Sequence, residues 1–326
     1  MSNTYQTVSV EDLYKSASHA CRQSLEVKPG ELVLVIIDEP QRRIGEAFFK
    51  AARELGAEAV LTEIIPRKVN AEEPPRAIAE MMKHADVVII PTSKSMSHTD
   101  ARRNACAAGA RIVTLPGITE DTMVRTLFSE YENIDPESRR IADFMKDADV
   151  VHITSPGGTD VTMEITGRTT FADVGRVNHP GDFSNLPAGE AYLAPLEGKT
   201  NGIVVVDGSI AHSGVLKEPM RIEVKDGFAE KFSGEYAETF QAYMSEYGKN
   251  AFNVAELGIG TNPNATIVGC VLEDEKVRGT VHIAYGNSIS MGGLVDVPVH
   301  EDGIIRKPTV VVDGRTLMRD GELVFE

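Results

Sequence analysis

The chain has 326 residues, room for two domains, and its 42% hydrophobic and 25% charged residues are the balance of an ordinary globular protein with sizeable cores. Its 33 basic and 49 acidic side chains give a formal charge of −16; with no basic run this excludes a phosphate-backbone partner, so no nucleic acid is expected. Cys21, Cys106 and Cys270 lie far apart with no Cys-x-x-Cys, which excludes a disulfide framework and suits a reducing compartment. The segment Met1-Ser-Asn-Thr-Tyr-Gln lacks the basic and apolar parts of a signal peptide, and no apolar run reaches the length of a membrane span. A cytoplasmic location without a membrane partner is therefore expected.

Residues 9–26 read as an amphipathic helix, with Leu13, Ala17, Ala20 and Leu25 near helical spacing and Ser9 with Asp12 as its cap. Cys21 lies on this helix and reads as a buried, inert thiol. After Pro29-Gly30, the run Glu31-Leu-Val-Leu-Val-Ile-Ile-Asp38 has the continuous apolar, β-branched character of a strand buried on both faces. Helices over about 42–55, 74–84, 98–108 and 136–147 then alternate with strands at 59–65, 85–91, 110–115 and 148–153. This alternation predicts an α/β N-terminal domain with an open, mostly parallel sheet over 1–155. No Gly-x-Gly-x-x-Gly follows the first strand and no phosphate-binding Gly-x-x-x-x-Gly-Lys occurs, so a dinucleotide or nucleotide cofactor is not expected. Pro156-Gly-Gly-Thr reads as a hairpin turn, and His98 with Asp100 as part of a helix start capped by Ser97 or Thr99.

From about 160 the chain turns to short alternating runs punctuated by Asp-Gly turns at 207, 226, 313 and 320, with one helix near 234–247. This predicts a mainly antiparallel α+β C-terminal domain over 156–326. Its chemistry-bearing residues gather in four places. Asn185-Leu-Pro-Ala-Gly presents Glu190 at the end of a turn. Glu256 interrupts the apolar, glycine-rich Ala255-Glu-Leu-Gly-Ile-Gly260, where a packed carboxylate needs a cationic partner or a metal. Gly279-Thr-Val-His282-Ile-Ala-Tyr285 supplies a histidine. His300 and Asp302, two apart on a strand, point to one face, either as a surface ion pair or as a metal pair.

Taken in order, these four motifs resemble the aminopeptidase T family of thermophilic-type metallopeptidases, well over the C-terminal half and only in architecture over the N-terminal half. The resemblance implies a metallo-aminopeptidase, a hydrolase acting on a small peptide, with two divalent ions (zinc or cobalt) on Glu190, Glu256, His282, His300 and Asp302. It also implies a homodimer. Glu256 would bridge the ions, the two ions would activate the water between them, one of the glutamates would shuttle the proton, and Tyr285 would assist catalysis. Two departures stand out: Ile289 occupies the place of a family tyrosine, and the connection from His282 to His300 is short. The dihydroxypyridine ring-cleaving dioxygenases look similar and use one Fe²⁺ with two histidines and a carboxylate. They place a histidine where this chain has Glu256 and lack the glutamate of the 185–190 turn. A dioxygenase is the second expectation and a non-catalytic binding protein the third. Around the motifs, Arg168 either neutralises the carboxylates or bridges strands. Lys276 with Glu275 is a turn-borne pair or a support behind the site, and His212 is a turn or core residue.

Overall fold

A computed structural model describes residues 8–128 and 131–326, with the side chains of residues 131 and 132 outside the description. Two compact units make up the chain, Met1–Tyr131 with Gly175–Ala188, and Glu132–Val174 with Gly189–Glu326. The partition is thus not a single cut near residue 155. Among the described residues, no helix is long and apolar enough to cross a membrane.

The first unit is an α/β fold. It runs α1 (Val10–Gln23), β1 (Leu32–Asp38), α2 (Arg42–Glu54), β2 (Glu58–Ile64), α3 (Arg76–Met82), β3 (Val87–Ile90), α4 (Asp100–Ala107), β4 (Arg111–Thr114) and α5 (Glu120–Thr126). The sheet is parallel in the order β2-β1-β3-β4, extended past β4 by Phe183–Asn185, which is β8 in chain order. Leu34, Ile36, Val88, Ile90 and Ile112 pack on one side, while Val33, Val35, Val87, Ile89 and Val113 are buried on the other. Burial on both faces is why these strands read as unbroken apolar runs. Caps fall where the side chains allow: Ser9 accepts from the Asp12 N–H, and Thr99 from the Arg102 N–H. The latter accounts for the His98–Asp100 segment as a helix start.

The second unit opens with α6 (Tyr131–Met145) and continues through β5 (Val150–Thr154), β6 (Asp160–Glu164) and β7 (Phe171–Asp173). After the excursion into the first unit come β9 (Glu190–Leu193), β10 (Thr200–Val206), β11 (Ser209–Ile210), β12 (Gly214–Val215), β13 (Met220–Lys225), β14 (Phe228–Gly234) and α7 (Ala237–Ser245). β15 (Val254–Gly260), α8 (Val271–Asp274), β16 (Val281–Gly286), β17 (His300–Ile305), β18 (Thr309–Val312), β19 (Arg315–Arg319) and β20 (Glu322–Leu323) complete it. One sheet has the order β14-β13-β10-β6-β5-β18-β19-β20 and the other β12-β11-β17-β16-β15-β9-β7. A shared apolar core joins them, with Val151, Ile153, Val204 and Ile222 from the first and Leu257, Ile259, Val281, Ile283 and Ile305 from the second.

The fifth strand departs from the sequence expectation. β5 pairs antiparallel with β6 and β18 and does not extend the parallel sheet. Its burial alternates, with Val151 and Ile153 inside and His152 facing out towards Asp160 at 2.8 Å. That period of two belongs to a sheet with one covered face, whereas β3 and β4 are buried at every residue. Pro156-Gly-Gly lies in the turn between β5 and β6, as expected.

Candidate metal centre

Four adjacent strands of the seven-stranded sheet, β9, β15, β16 and β17, build the site from one face. Alternation sends Leu257, Ile259, Val281, Ile283 and Tyr285 into the core. The intervening residues Glu256, Gly258, Gly260, His282 and Ala284 therefore face the other way, as do His300 and Asp302. Register then aligns them. Glu256 lies opposite Ala284, which lies opposite Asp302; Gly258 lies opposite His282; and Gly260 lies opposite Glu190.

The two glycines of Glu256-Leu-Gly-Ile-Gly have distinct reasons to be there. A Cβ on Gly258 would lie 1.9 Å from His282 Nε2, so the imidazole lies directly over the β15 backbone. A Cβ on Gly260 would lie 2.2 Å from the Val277 carbonyl, so this position admits the backbone that carries Lys276. Ala284, with its single methyl, leaves open the space between Glu256 and Asp302.

All five residues singled out in the sequence come together. Donor atoms of Glu190, Glu256 and His282 lie within 4.8 Å of one another, and so do those of Glu256, His300 and Asp302. Glu256 is common to both groups, its Oε1 3.5 Å from His282 Nε2 and its Oε2 3.0 Å from His300 Nε2. His282 Nε2 is 3.3 Å from Glu190 Oε2, and His300 Nε2 is 3.8 Å from Asp302 Oδ1. The histidine side chain at 300 is 20% exposed and that at 282 only 1%, so the His300 group is the accessible end. His300 Nδ1 lies 2.7 Å from the Asn287 carbonyl, which fixes Nδ1 as the protonated nitrogen and leaves Nε2 facing the carboxylates.

The deep end carries a cation of its own. Lys276, 1% exposed, places Nζ 2.6 Å from Glu190 Oε1 and 2.8 Å from Glu275 Oε1. Of the two sequence readings of Lys276 and Glu275, the structure selects the support behind the site. Burial alone raises the Glu190 carboxyl, but the Lys276 ammonium and His282 outweigh it and hold the group below its ordinary range. Burial likewise raises Glu256, yet hydrogen bonds from His282 and His300 pull it well down. Asp302 is raised by burial against the pull of His300. Burial lowers His300, but Asp302 and Glu256 lift it to about 10.

A metal fits this donor set. Asp302 Oδ1 and Glu190 Oε2 are buried and make no hydrogen bond, and bare carboxylate oxygens beside imidazole nitrogens are what a divalent cation satisfies. The remaining sequence candidates fall outside it. Tyr285 is three residues from His282, an odd number, and so points from the opposite face into the apolar core against Phe240, with its hydroxyl unpartnered. Its side chain is therefore not brought to the five ligand candidates. Ile289 is half exposed on the loop between β16 and β17. Arg168 bridges Glu197 and the Gly292 carbonyl, the latter at 2.6 Å, and so ties turns together where a bridge between strands was expected. His212 packs on Tyr243 and approaches Glu301, which alternates to the other face of β17 from His300 and Asp302. Cys21 is buried and its thiol is pushed up to about 12 by burial, an inert group. One residue missed in the sequence is Tyr192, two after Glu190 and opposite Gly258, whose phenol is raised by burial and by Asp173 and Glu190. Its i+2 spacing from Glu190 is the signal that would have found it.

The profile of the NicX family, described as 2,5-dihydroxypyridine 5,6-dioxygenase, matches residues 12–325. The structure of 2,5-dihydroxypyridine dioxygenase from Pseudomonas putida KT2440 superposes with a TM-score of 0.84 at 19% identity, covering 98% of this chain and 99% of that one. Wild-type AmpT from Thermus thermophilus superposes with a TM-score of 0.70 at 18% identity, covering 96% and 99%. No curated protein matches the sequence. At these identities the structural likenesses establish the fold. The profile overturns the expectation of an aminopeptidase T member: assignment as a hydrolase, an aminopeptidase or a metalloprotease acting on peptides is corrected. AmpT and the dioxygenase both superpose on this fold, and a shared fold does not by itself choose the reaction. The chain belongs to the 2,5-dihydroxypyridine 5,6-dioxygenase family.

Proposed function

We propose that the protein is a metal-dependent dioxygenase that opens a hydroxylated nitrogen heterocycle of the dihydroxypyridine class, with one Fe²⁺ held by Glu256, His300 and Asp302. The observation that carries this reading is the convergence of those three side chains at the accessible end of the cluster, beside the bare Asp302 oxygen. Family membership supports the substrate class and the insertion of both oxygen atoms. The donor set differs from the usual two imidazoles and one carboxylate in having Glu256 at one position. Two carboxylates neutralise a dication, and an oxygen-rich set suits Fe²⁺ or Mn²⁺ over softer ions. Bound there, the ion would supply the one-electron chemistry that lets triplet oxygen react with a closed-shell ring.

The chain's own residues do the rest. The Asn287 carbonyl orients His300 so that its Nε2 lone pair faces the ion's position. His282, 1% exposed, donates from Nε2 toward Glu190 at 3.3 Å and Glu256 at 3.5 Å and so holds the shared carboxylate in place. Leu257, Ile259 and Ile283 on the reverse of the sheet, all fully buried, keep the strands dry and rigid.

The test is anaerobic loading with Fe²⁺ followed by oxygen-electrode measurement with 2,5-dihydroxypyridine. One O₂ consumed per ring lost, both atoms of ¹⁸O₂ in the product, and loss of iron and turnover together in Asp302→Asn are expected. Stoichiometric iron with no oxygen uptake across dihydroxypyridines and dihydroxybenzenes refutes the reading.

A further inference from the structure

We propose that Lys276 takes the place of a second metal ion: its ammonium closes the deep half of the cluster to cations, and removing it opens a divalent-cation site on Glu190, Glu256 and His282. This rests on the reading above that one ion occupies Glu256, His300 and Asp302.

By ligand chemistry alone the two halves are equivalent. Each offers one histidine and two carboxylates with donor atoms within 4.8 Å, and they share Glu256. What separates them is the fixed charge. The described ion-pair partners of Glu256 and Asp302 are the histidines His282 and His300. Glu190 instead meets Lys276 Nζ at 2.6 Å. An ammonium in hydrogen-bond contact with a carboxylate repels any dication bound to that same carboxylate, and burial strengthens the repulsion.

The ammonium has no path out of this position. Glu275 Oε1 holds it from another side at 2.8 Å, and the lysine side chain is 1% exposed. Its backbone is fixed as well, since the Asn262 N–H donates to the Lys276 carbonyl at 2.8 Å and the Lys276 N–H to the Glu273 carbonyl at 2.9 Å. Meanwhile Glu190 Oε2 is buried without a hydrogen bond and His282 Nε2 lies 3.3 Å from it, so ligand capacity remains once the charge is gone. Lys276 thereby acts as a positioning residue that sets how many ions the centre takes.

The experiment is Zn²⁺ titration of the metal-depleted full-length protein, with zinc per chain measured after desalting. Wild type is expected to hold one equivalent, Lys276→Met two, and Glu190→Gln one. Mn²⁺-loaded Lys276→Met is expected to show spin coupling between two ions in its paramagnetic resonance spectrum, absent from wild type. Lys276→Met leaves two buried carboxylates without their cation; should it fail to fold, Lys276→Met/Glu275→Gln removes one of them, keeps all three ligands and is expected to hold two equivalents. Two equivalents or none in wild type, or one in the folded lysine variants, overturns the proposal. Oxygen uptake is scored separately: its absence with the stoichiometry shift intact sinks the dioxygenase reading and leaves the role of Lys276 standing.

Discussion

Gly258→Ala tests whether the sheet face positions His282. The added methyl would start 1.9 Å from Nε2, 2.2 Å from Cε1 and 2.7 Å from Cδ2 of the imidazole. To move from 1.9 Å to ordinary contact at 3.4 Å, the ring must retreat by about 1.5 Å. Nε2 now lies 3.3 Å from Glu190 and 3.5 Å from Glu256, so a retreat of that size breaks both contacts. Overpacking at a buried site costs about 2 kcal/mol, or roughly 4–8 °C in Tm for a unit of this size. Displacing by more than 1 Å the ring that holds Glu256 costs on the order of 10²-fold in kcat. Denaturant unfolding and steady-state oxygen uptake measure the two effects. The decisive comparison repeats the substitution in a His282→Ala background, where the ring is gone and the methyl has room. There the stability cost should fall below about 0.5 kcal/mol, giving a coupling energy of more than 1 kcal/mol between the two positions. Equal costs in both backgrounds would show that the methyl never meets the ring, and the packing argument fails.

Metal binding should release protons. His300 is lifted to about 10 in the metal-free protein, so its stabilisation of that state is full below the ordinary histidine value near 6.5 and fades as pH rises through about 10. An ion must displace this proton, and affinity should climb at least about tenfold per pH unit between 6.5 and 8; a flat profile by calorimetry in two buffers refutes it. Tyr285→Phe should leave kcat unchanged and stability equal or higher by up to about 1 kcal/mol, because the buried hydroxyl makes no hydrogen bond; a tenfold loss of kcat would return Tyr285 to the site. Arg168→Ala should free the loop between β16 and β17, since Arg168 holds the Gly292 carbonyl and its partner Glu197 accepts from the Leu294 N–H at 2.7 Å. Faster limited proteolysis within residues 287–299 is the expected readout, and an unchanged cleavage rate counts against it.

Much of this was legible in the sequence because period and parity are local properties. Unbroken apolar runs at Leu32–Asp38 and Val87–Ile90 follow from burial on both faces. Glu256 with Gly258 and Gly260, and His300 with Asp302, share a face because strand side chains repeat every two residues. The same parity sends Tyr285 away from His282, a signal present in the sequence but overridden there by family analogy. Pairing between distant strands is not local, and only the tertiary structure decided it. It set Glu256 opposite Ala284 and Ala284 opposite Asp302, and it moved Val150–Thr154 into the antiparallel sheet. It also brought Lys276 from the turn after α8 to within 2.6 Å of Glu190, 86 residues away. The charge balance of a buried cluster depends on which groups the fold presses together, so no run of neighbouring residues could reveal that this one already contains a cation.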